Sequence, residues 1–383
     1  MNFLHKPFLI IVLFIGISFS CNPQKDITVS TTTTTSTSTP KVISTKKVKN
    51  IILLIGDGMG LSQVSASQFY NKNKSNFERF PVIGLSKTSS ASDLITDSAA
   101  GATAFASGIK TYNGALGVNT DTTAVKTIVE EISKIGISTG IISTSSIVHA
   151  TPAAFYTHTK KRSMYEDIAL QLVSSDIDFF AGGGVKFFND RKDKRDLISE
   201  LEKNGFSVST ESLPTNTKPI FSNKQGYLLA PNGMPKMLEG RGDFLSEATK
   251  LAIESLSSNE QGFFLMVEGS QIDWGGHDKD ADYLISELID FDKTIGVALD
   301  FAKLDGETLV IVTADHETGG FTLASDERGD YNKIKPVFST DGHSATMVPV
   351  FADGPSSEEF GGVYENTSIY DKMKALFFEN NNQ

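Results

Sequence analysis

Three apolar runs in this 383-residue chain end in carboxylates. NIILLIG, residues 50–56, leads into Asp57. FFLMV leads into Glu268, with Asp273 close behind, and LVIVTA leads into Asp315 and His316. In open α/β sheets, ligands bind outside the carboxyl ends of the strands, so acids at three such ends converge in space. The histidines sharpen the pattern. His277 follows Asp273 by four residues, which places both on one side of a helical turn. His343 sits in DGHSA, a loop with Gly just before it. A lone histidine is more often structural or at the surface, and one acid at a strand end is unremarkable. The mixed Asp, Glu and His set suits Zn2+, which accepts imidazole and carboxylate ligands.

Ser98 opens the second line of chemistry. It lies in TDSAAGATAFASG, residues 96–108. A Ser or Asp before a helix-forming run is ordinarily an N-cap. No GxSxG elbow surrounds Ser98 and nothing marks a Ser-His-Asp triad. A metal-activated alkoxide is the natural alternative. The start of the following helix also supplies backbone N–H groups and a positive dipole end, which favours an anion such as phosphate.

The elements that must hold these residues read as a doubly wound α/β sheet. NIILLIG, QGFFLMVEG and GETLVIVTAD are continuous apolar runs, as expected of strands buried on both faces. STGIISTSS and IDFFAGGG are two further strand candidates. Helical patterns lie between them: AVKTIVEEISKIG after Asp121, and DFLSEATKLAIESLSS with one apolar face. Strands alternating with helices predict a mostly parallel central sheet flanked by helices on both faces. Residues 204–240 are turn-rich and read as a surface excursion. Residues 324–342 are mostly polar and are expected to cap the site. The triplet Arg241-Gly242-Asp243 opens an amphipathic helix and carries no adhesion reading.

Composition is that of a globular protein, with 39% hydrophobic and 21% charged residues. A net charge of −11 argues against nonspecific nucleic-acid binding. It would also repel an anionic substrate unless local cations attract it. Residues 1–20 read as an export signal, with Lys6 ahead of the apolar run from Pro7 to Phe19. Cys21, the only cysteine, follows in SFSC. This is similar to a bacterial lipoprotein cleavage site, where the Cys carries lipid. Ser18 and Phe19 depart from the usual residues there, and the alternative is ordinary cleavage with a free thiol. The Ser/Thr-rich residues 21–47 read as a disordered tether. A single catalytic domain is expected over 48–383.

Taken together and in order, GDGMG, TDSAAGATAFASGIKTYNGALGV, HATPAAFYTHTKKR, VEGSQIDWGGHD, TADHETGG and the GH of DGHSA resemble the metal-dependent alkaline phosphatases, in a bacterial exported form. The resemblance runs from about Asn50 to Gly354. It implies hydrolysis of phosphate monoesters through a phosphoserine at Ser98. It implies one zinc on Asp273, His277 and His343, and a second zinc on Asp57, Asp315 and His316, with Ser98 as an added ligand. A third site, usually magnesium, would use Asp57, Thr151 and Glu268. Arg162, closing HATPAAFYTHTKKR, would clamp two phosphate oxygens, as its planar fork allows. His149 stands where some members have Asp, which leaves the third metal open. Trp274 stands where some have Lys or His. It is weighed equally as a phosphate contact and as a packed or rim aromatic. His158 is read as structural. The short interval from His316 to His343 implies a reduced crown, which weakens the family's common homodimer as an expectation. Competing readings are a phosphodiesterase or nucleotide pyrophosphatase of the same superfamily, a sulfatase, and a lipid-anchored protein that only binds zinc or phosphate. Arg162 argues against the diesterase, since it would fill the space of a second ester group. A sulfatase would need a modifiable Cys or Ser in a different motif.

Overall fold

The first strand, Asn50–Gly56 (β1), shows why its apolar run is unbroken. Ile51, Leu53 and Ile55 enter one hydrophobic cluster, and Ile52 and Leu54 enter another on the opposite face. Both faces of a strand must be apolar where helices cover both sides of the sheet. The computed structural model describes residues 47–214, 224–327 and 330–381. The export signal, Cys21 and the tether up to residue 46 therefore lie outside the described residues. No helix among the described residues is long and apolar enough to cross a membrane.

The other strands are Val82–Lys87 (β2), Ser138–Ser146 (β3), Phe179–Gly183 (β4), Phe206–Ser209 (β5), Lys224–Leu228 (β6), Phe263–Gly269 (β7), Thr308–Thr313 (β8), Glu317–Thr318 (β9), Phe321–Glu327 (β10), Asp330–Phe338 (β11), His343–Ser344 (β12), Val348–Asp353 (β13) and Gly362–Glu365 (β14). Ten of them form one sheet in the order β14-β2-β13-β8-β1-β7-β3-β4-β6-β5. Every pairing is parallel except those of β13, which runs against β2 and β8. Helices Ser98–Ser107, Tyr165–Val173, Leu197–Lys203 and Thr367–Asn381 contribute to the first cluster. Leu61–Tyr70, Phe244–Leu256 and Ala281–Asp305 contribute to the second. This is the expected doubly wound, mostly parallel sheet with helices on both faces.

Two expectations are corrected and a third is narrowed. The helix expected over AVKTIVEEISKIG is short. Ala124 pairs with Val118 instead, and Thr127 with Glu130 forms a capping box that starts the helix only at Ile128. Within the turn-rich stretch 204–240, the described residues include β5 and β6, which extend the sheet to its far edge where a surface excursion was expected. The strand signal of β6 is hidden by Gly226. A Cβ there would lie 2.3 Å from the Phe180 ring, so the ring fills the place of a side chain. Residues 324–342 lie largely in an exposed antiparallel hairpin of β10 and β11, closed at its base by Phe321 against Phe338, with ring centroids 5.3 Å apart. The segment just past the hairpin reaches the site: the Asp341 carbonyl accepts a hydrogen bond from His277.

Candidate active site

The carboxyl ends of β1, β7 and β8 are adjacent in the sheet, and their acids meet there. Asp57 follows β1, Glu268 lies in β7, and Asp315 and His316 follow β8. Gly58, at φ +72°, turns the chain sharply after Asp57 and donates its N–H to Asp315 Oδ1 at 3.2 Å. Helix Gln271–His277 sets Asp273 and His277 one turn apart. The two-residue ladder of β9 and β12 pins His343 opposite Thr318, so the His343 ring stacks on His316 at 3.5 Å.

Two tight groups result. Asp273 Oδ1 lies 3.4 Å from His277 Nε2 and 3.6 Å from His343 Nε2, and those two nitrogens are 3.2 Å apart. Both imidazoles have their Nδ1 against a carbonyl, His277 on Asp341 at 2.6 Å and His343 on Thr96 at 2.8 Å. A carbonyl only accepts, so each Nδ1 carries a proton, and in the neutral tautomer each Nε2 offers a lone pair beside the Asp273 carboxylate. Around His316, Nε2 is 3.2 Å from Asp315 Oδ2, 3.5 Å from Asp57 Oδ1 and 3.3 Å from Ser98 Oγ. Asp57 is shared with a third group, which it forms with His149 and Glu268. Asp273, His316 and His343 also meet, linking the first two groups.

The electrostatics of this cluster are unresolved by the protein itself. Both oxygens of Asp57, Glu268 Oε1, Asp315 Oδ2 and Thr151 Oγ1 are buried without a hydrogen-bond partner. Burial, the largest cause, raises the carboxyl of Asp57 well above its ordinary range, with Asp315 and Asp273 adding repulsion. Burial pushes Glu268 up to about 7. Burial and then Asp273 push Asp315 up to about 6. Burial also drives the imidazolium form of His316 far down. Convergent lone pairs, orphaned acid oxygens and neutral imidazoles fit a divalent cation, which would reverse each of these penalties.

Ser98 is the first residue of helix Ser98–Ser107, and Asp97 takes the cap, accepting from Ala100 N at 3.0 Å. The serine hydroxyl is thereby left for the site. Gly101 lets the helix approach, since a Cβ there would sit 3.0 Å from Asp315 Cβ. Arg162 donates to Asp97 Oδ2 at 3.1 Å and to His149 Nε2 at 3.3 Å. Burial and the Arg162 charge hold His149 neutral, with its pKa at about 3. Trp274 is half-buried, edge-on to His149 at 5.9 Å and against Gly233, as a rim aromatic would be. It is placed beside the third group.

Several residues at the site went unnoticed in the sequence. Asp97, expected at the helix start, also holds Arg162, which its sequence context does not signal. Thr318 Oγ1 lies 2.5 Å from Asp273 Oδ1 and 3.2 Å from His316 Nδ1. Glu317 accepts from Gln63 and Ser344 and so ties the β9–β12 ladder to helix Leu61–Tyr70. Ser143 and Ser145 reach Glu268 Oε2, and Ser270 bonds to Ser143 behind them. Only the last had a signal: serines at alternate positions inside an otherwise buried strand.

The alkaline phosphatase family model matches residues 48–336. Alkaline phosphatase 3 of Bacillus subtilis is 40% identical over 267 residues, which is 64% of this chain and 56% of the relative. The chain thus spans about half the length of the curated relatives it first matches. The structure of alkaline phosphatase from the Antarctic bacterium TAB5 is 55% identical, with a TM-score of 0.85, covering 87% of this chain and 99% of that one. A variant of the TAB5 protein with a histidine changed to aspartate has magnesium bound in its M3 site, and it matches with the same identity, coverage and TM-score. With the family model spanning most of the chain and the sheet-end geometry in place, this chain belongs to the alkaline phosphatase family.

Proposed function

We propose that this protein hydrolyses phosphate monoesters to an alcohol and inorganic phosphate, with Ser98 as the nucleophile. The observation that carries the reading is the Ser98 hydroxyl. It is free of capping duty, lies at a helix N-terminus, and is 3.3 Å from His316 Nε2 beside unpartnered carboxylate oxygens.

In this reading Asp273, His277 and His343 hold one zinc. Asp57, Asp315 and His316 hold the second, with Ser98 beside them. Asp57, Thr151 and Glu268 hold magnesium, with His149 able to add a nitrogen. His149, which stands where some family members have Asp, is in this reading the residue that sets which cation the third group takes. Bound divalent cations would lower the pKa of the serine hydroxyl and offset charge on the entering and leaving oxygens. Ser98 Oγ attacks phosphorus and the alcohol departs, leaving a phosphoserine. Water then attacks that phosphorus, the P–Oγ bond breaks, Ser98 Oγ regains its proton and stays with the protein, and inorganic phosphate is released. Arg162, steadied by Asp97 and His149, offers its guanidinium to the non-bridging oxygens. The N–H groups at the start of helix Ser98–Ser107 favour the same negative charge. Recognition falls on the phosphate, so broad alcohol specificity is expected.

The test is turnover of a chromogenic phosphate monoester and its matching diester, with Zn2+ and Mg2+, before and after Ser98→Ala. Monoester turnover should dominate and fall by about three orders of magnitude or more in the variant. Equal or faster diester turnover would sink the reading. Bound metal without turnover would favour a binding protein. Export with a lipid on Cys21 belongs to the same proposal. It predicts fatty-acid labelling that Cys21→Ser removes, and labelling that persists in Cys21→Ser would exclude that anchor.

A further inference from the structure

The third group holds a carboxylate whose two oxygens are treated differently. The parallel register of β3 and β7 sets Ser143 directly beside Glu268. Ser143 Oγ lies 2.5 Å from Glu268 Oε2. Its own neighbours are Ser145 Oγ at 2.7 Å, Ser270 Oγ at 2.9 Å and Ser145 N at 2.9 Å. The other oxygen, Oε1, is buried and has no partner.

A serine hydroxyl carries one proton, and Glu268, ionised when it serves as a cation ligand, only accepts. The proton of Ser143 therefore goes to Glu268 Oε2. With that proton committed, Ser143 Oγ accepts from Ser145 N–H and from a neighbouring hydroxyl. Ser270 is in turn fixed from both sides. Its Oγ lies 3.0 Å from Ser145 N and its N–H donates to Thr144 Oγ1 at 2.9 Å. All of these residues are buried, so no bulk water competes for the positions.

We infer that Ser143, backed by Ser145 and Ser270, is a positioning residue that occupies one oxygen of Glu268 and presents only the other to the third group. This rests on the reading of Asp57, Thr151 and Glu268 as cation ligands. Its consequence is selectivity. A carboxylate restricted to one oxygen suits a small octahedral ion, whereas Ca2+ readily takes both oxygens of a carboxylate. Glu268 freed to turn would lose affinity for the small ion and gain tolerance for Ca2+.

The experiment titrates the zinc-loaded full chain with Mn2+ as a paramagnetic probe. Free Mn2+ is counted by electron paramagnetic resonance, and Mg2+ and Ca2+ serve as competitors. Ser143→Ala should weaken Mn2+ binding about tenfold, the usual scale for a group that orients a ligand. It should also shift competition toward Ca2+, while Ser143→Thr, which keeps the hydroxyl, retains the preference for Mg2+. Wild-type Mn2+ affinity in Ser143→Ala, together with weakening in Glu268→Gln, would overturn the positioning role and leave the third group standing. No change in either variant would overturn the third group itself. Should Ser143→Ala fail to fold, Ser270→Ala removes a supporting hydroxyl and should weaken Mn2+ in the same direction. Unchanged binding there would also overturn the inference.

Discussion

Glu287 and Asp290 are buried almost as completely as Asp57 and Glu268, yet only the first pair meets a permanent cation. Arg241 Nη2 lies 2.5 Å from Glu287 Oε2 and 2.8 Å from Asp290 Oδ2, and its side chain is 0% exposed. Glu287 also accepts from Met237 N at 2.8 Å. At the carboxyl end of the sheet, Asp57, Glu268 and Asp315 have no Lys or Arg paired with them among the described residues, and several of their oxygens are orphaned. Both clusters bear the cost of burying charge. In the first the charge is balanced by the chain's own Arg241, although Arg241 Nε and Asp290 Oδ1 have no hydrogen-bond partner. The second is left for cations from solution, which is how a fold reserves a site at the expense of its own stability.

Metal removal should break the comparison most sharply. EDTA is expected to abolish monoester turnover and to lower stability by about 4 kcal/mol where metal had been at ~1,000 times its Kd. Full activity after verified metal removal would refute the mechanism. The chelated protein should also carry a pH signature. Glu268 at about 7 and Asp315 at about 6 lie above their ordinary 4.5 and 3.8. A group raised by folding contributes stability that is present below its unfolded value and is lost as pH rises through its folded value. Urea denaturation should therefore find the chelated protein weaker at pH 8 than at pH 5, with metal erasing most of the difference. Equal chelated stability at both pH values would contradict the account of the cluster.

Arg241→Met tests the closed cluster. It strands two buried acids and should cost about 3–5 kcal/mol with or without metal, while kcat of the folded fraction stays near wild type. A loss under 1 kcal/mol, on the scale of an exposed ion pair, would show that the arginine does not balance those acids. Asp57→Asn should do the reverse. It removes an uncompensated charge, so the chelated protein gains about 1–3 kcal/mol, yet turnover falls by about two orders of magnitude or more. A chelated form less stable than wild type would break the contrast between the two clusters.

The smallest effect belongs to a half-buried pair outside both clusters. His158 Nε2 and Glu130 Oε1 are 3.2 Å apart. Their hydrogen bond raises His158 above 6.5 and lowers Glu130 below 4.5. The Glu130 contribution is complete above 4.5 and the His158 contribution is complete below 6.5. The pair thus helps most between those values and fades as pH rises through the raised imidazole pKa. His158→Gln should cost about 0.5–1 kcal/mol at pH 5.5 and less at pH 9. A loss that is the same at both pH values would assign His158 to packing instead.

Much of the site was legible because its residues end apolar runs. A buried strand that stops at an acid announces both its own position and the side of the sheet where its ligand lies. Asp57, Glu268, Asp315 and His316 could be read in that way. The roles of Asp273, His277, His343, Thr151 and Arg162 came from resemblance, since spacing alone leaves a lone histidine or threonine ambiguous. The far edge of the sheet was not legible, because Gly226 gives its place to the Phe180 ring. Nor was the early stop of the expected helix before Ile128, where a bridge between Val118 and Ala124 overrides local propensity.

By itself the sequence determined the period of its strands and the chemistry available at their ends, since side-chain type and local spacing suffice for both. Which atoms were left free was decided only by the tertiary structure. Ser98 meets His316 across 218 positions, and Ser143 meets Glu268 across 125. Asp97 takes the cap from Ser98, two backbone carbonyls fix the imidazole protons of His277 and His343, and Ser143 occupies one oxygen of Glu268. A hydrogen bond depends on distances of about 3 Å, and only the packed sheet brings such distant residues that close.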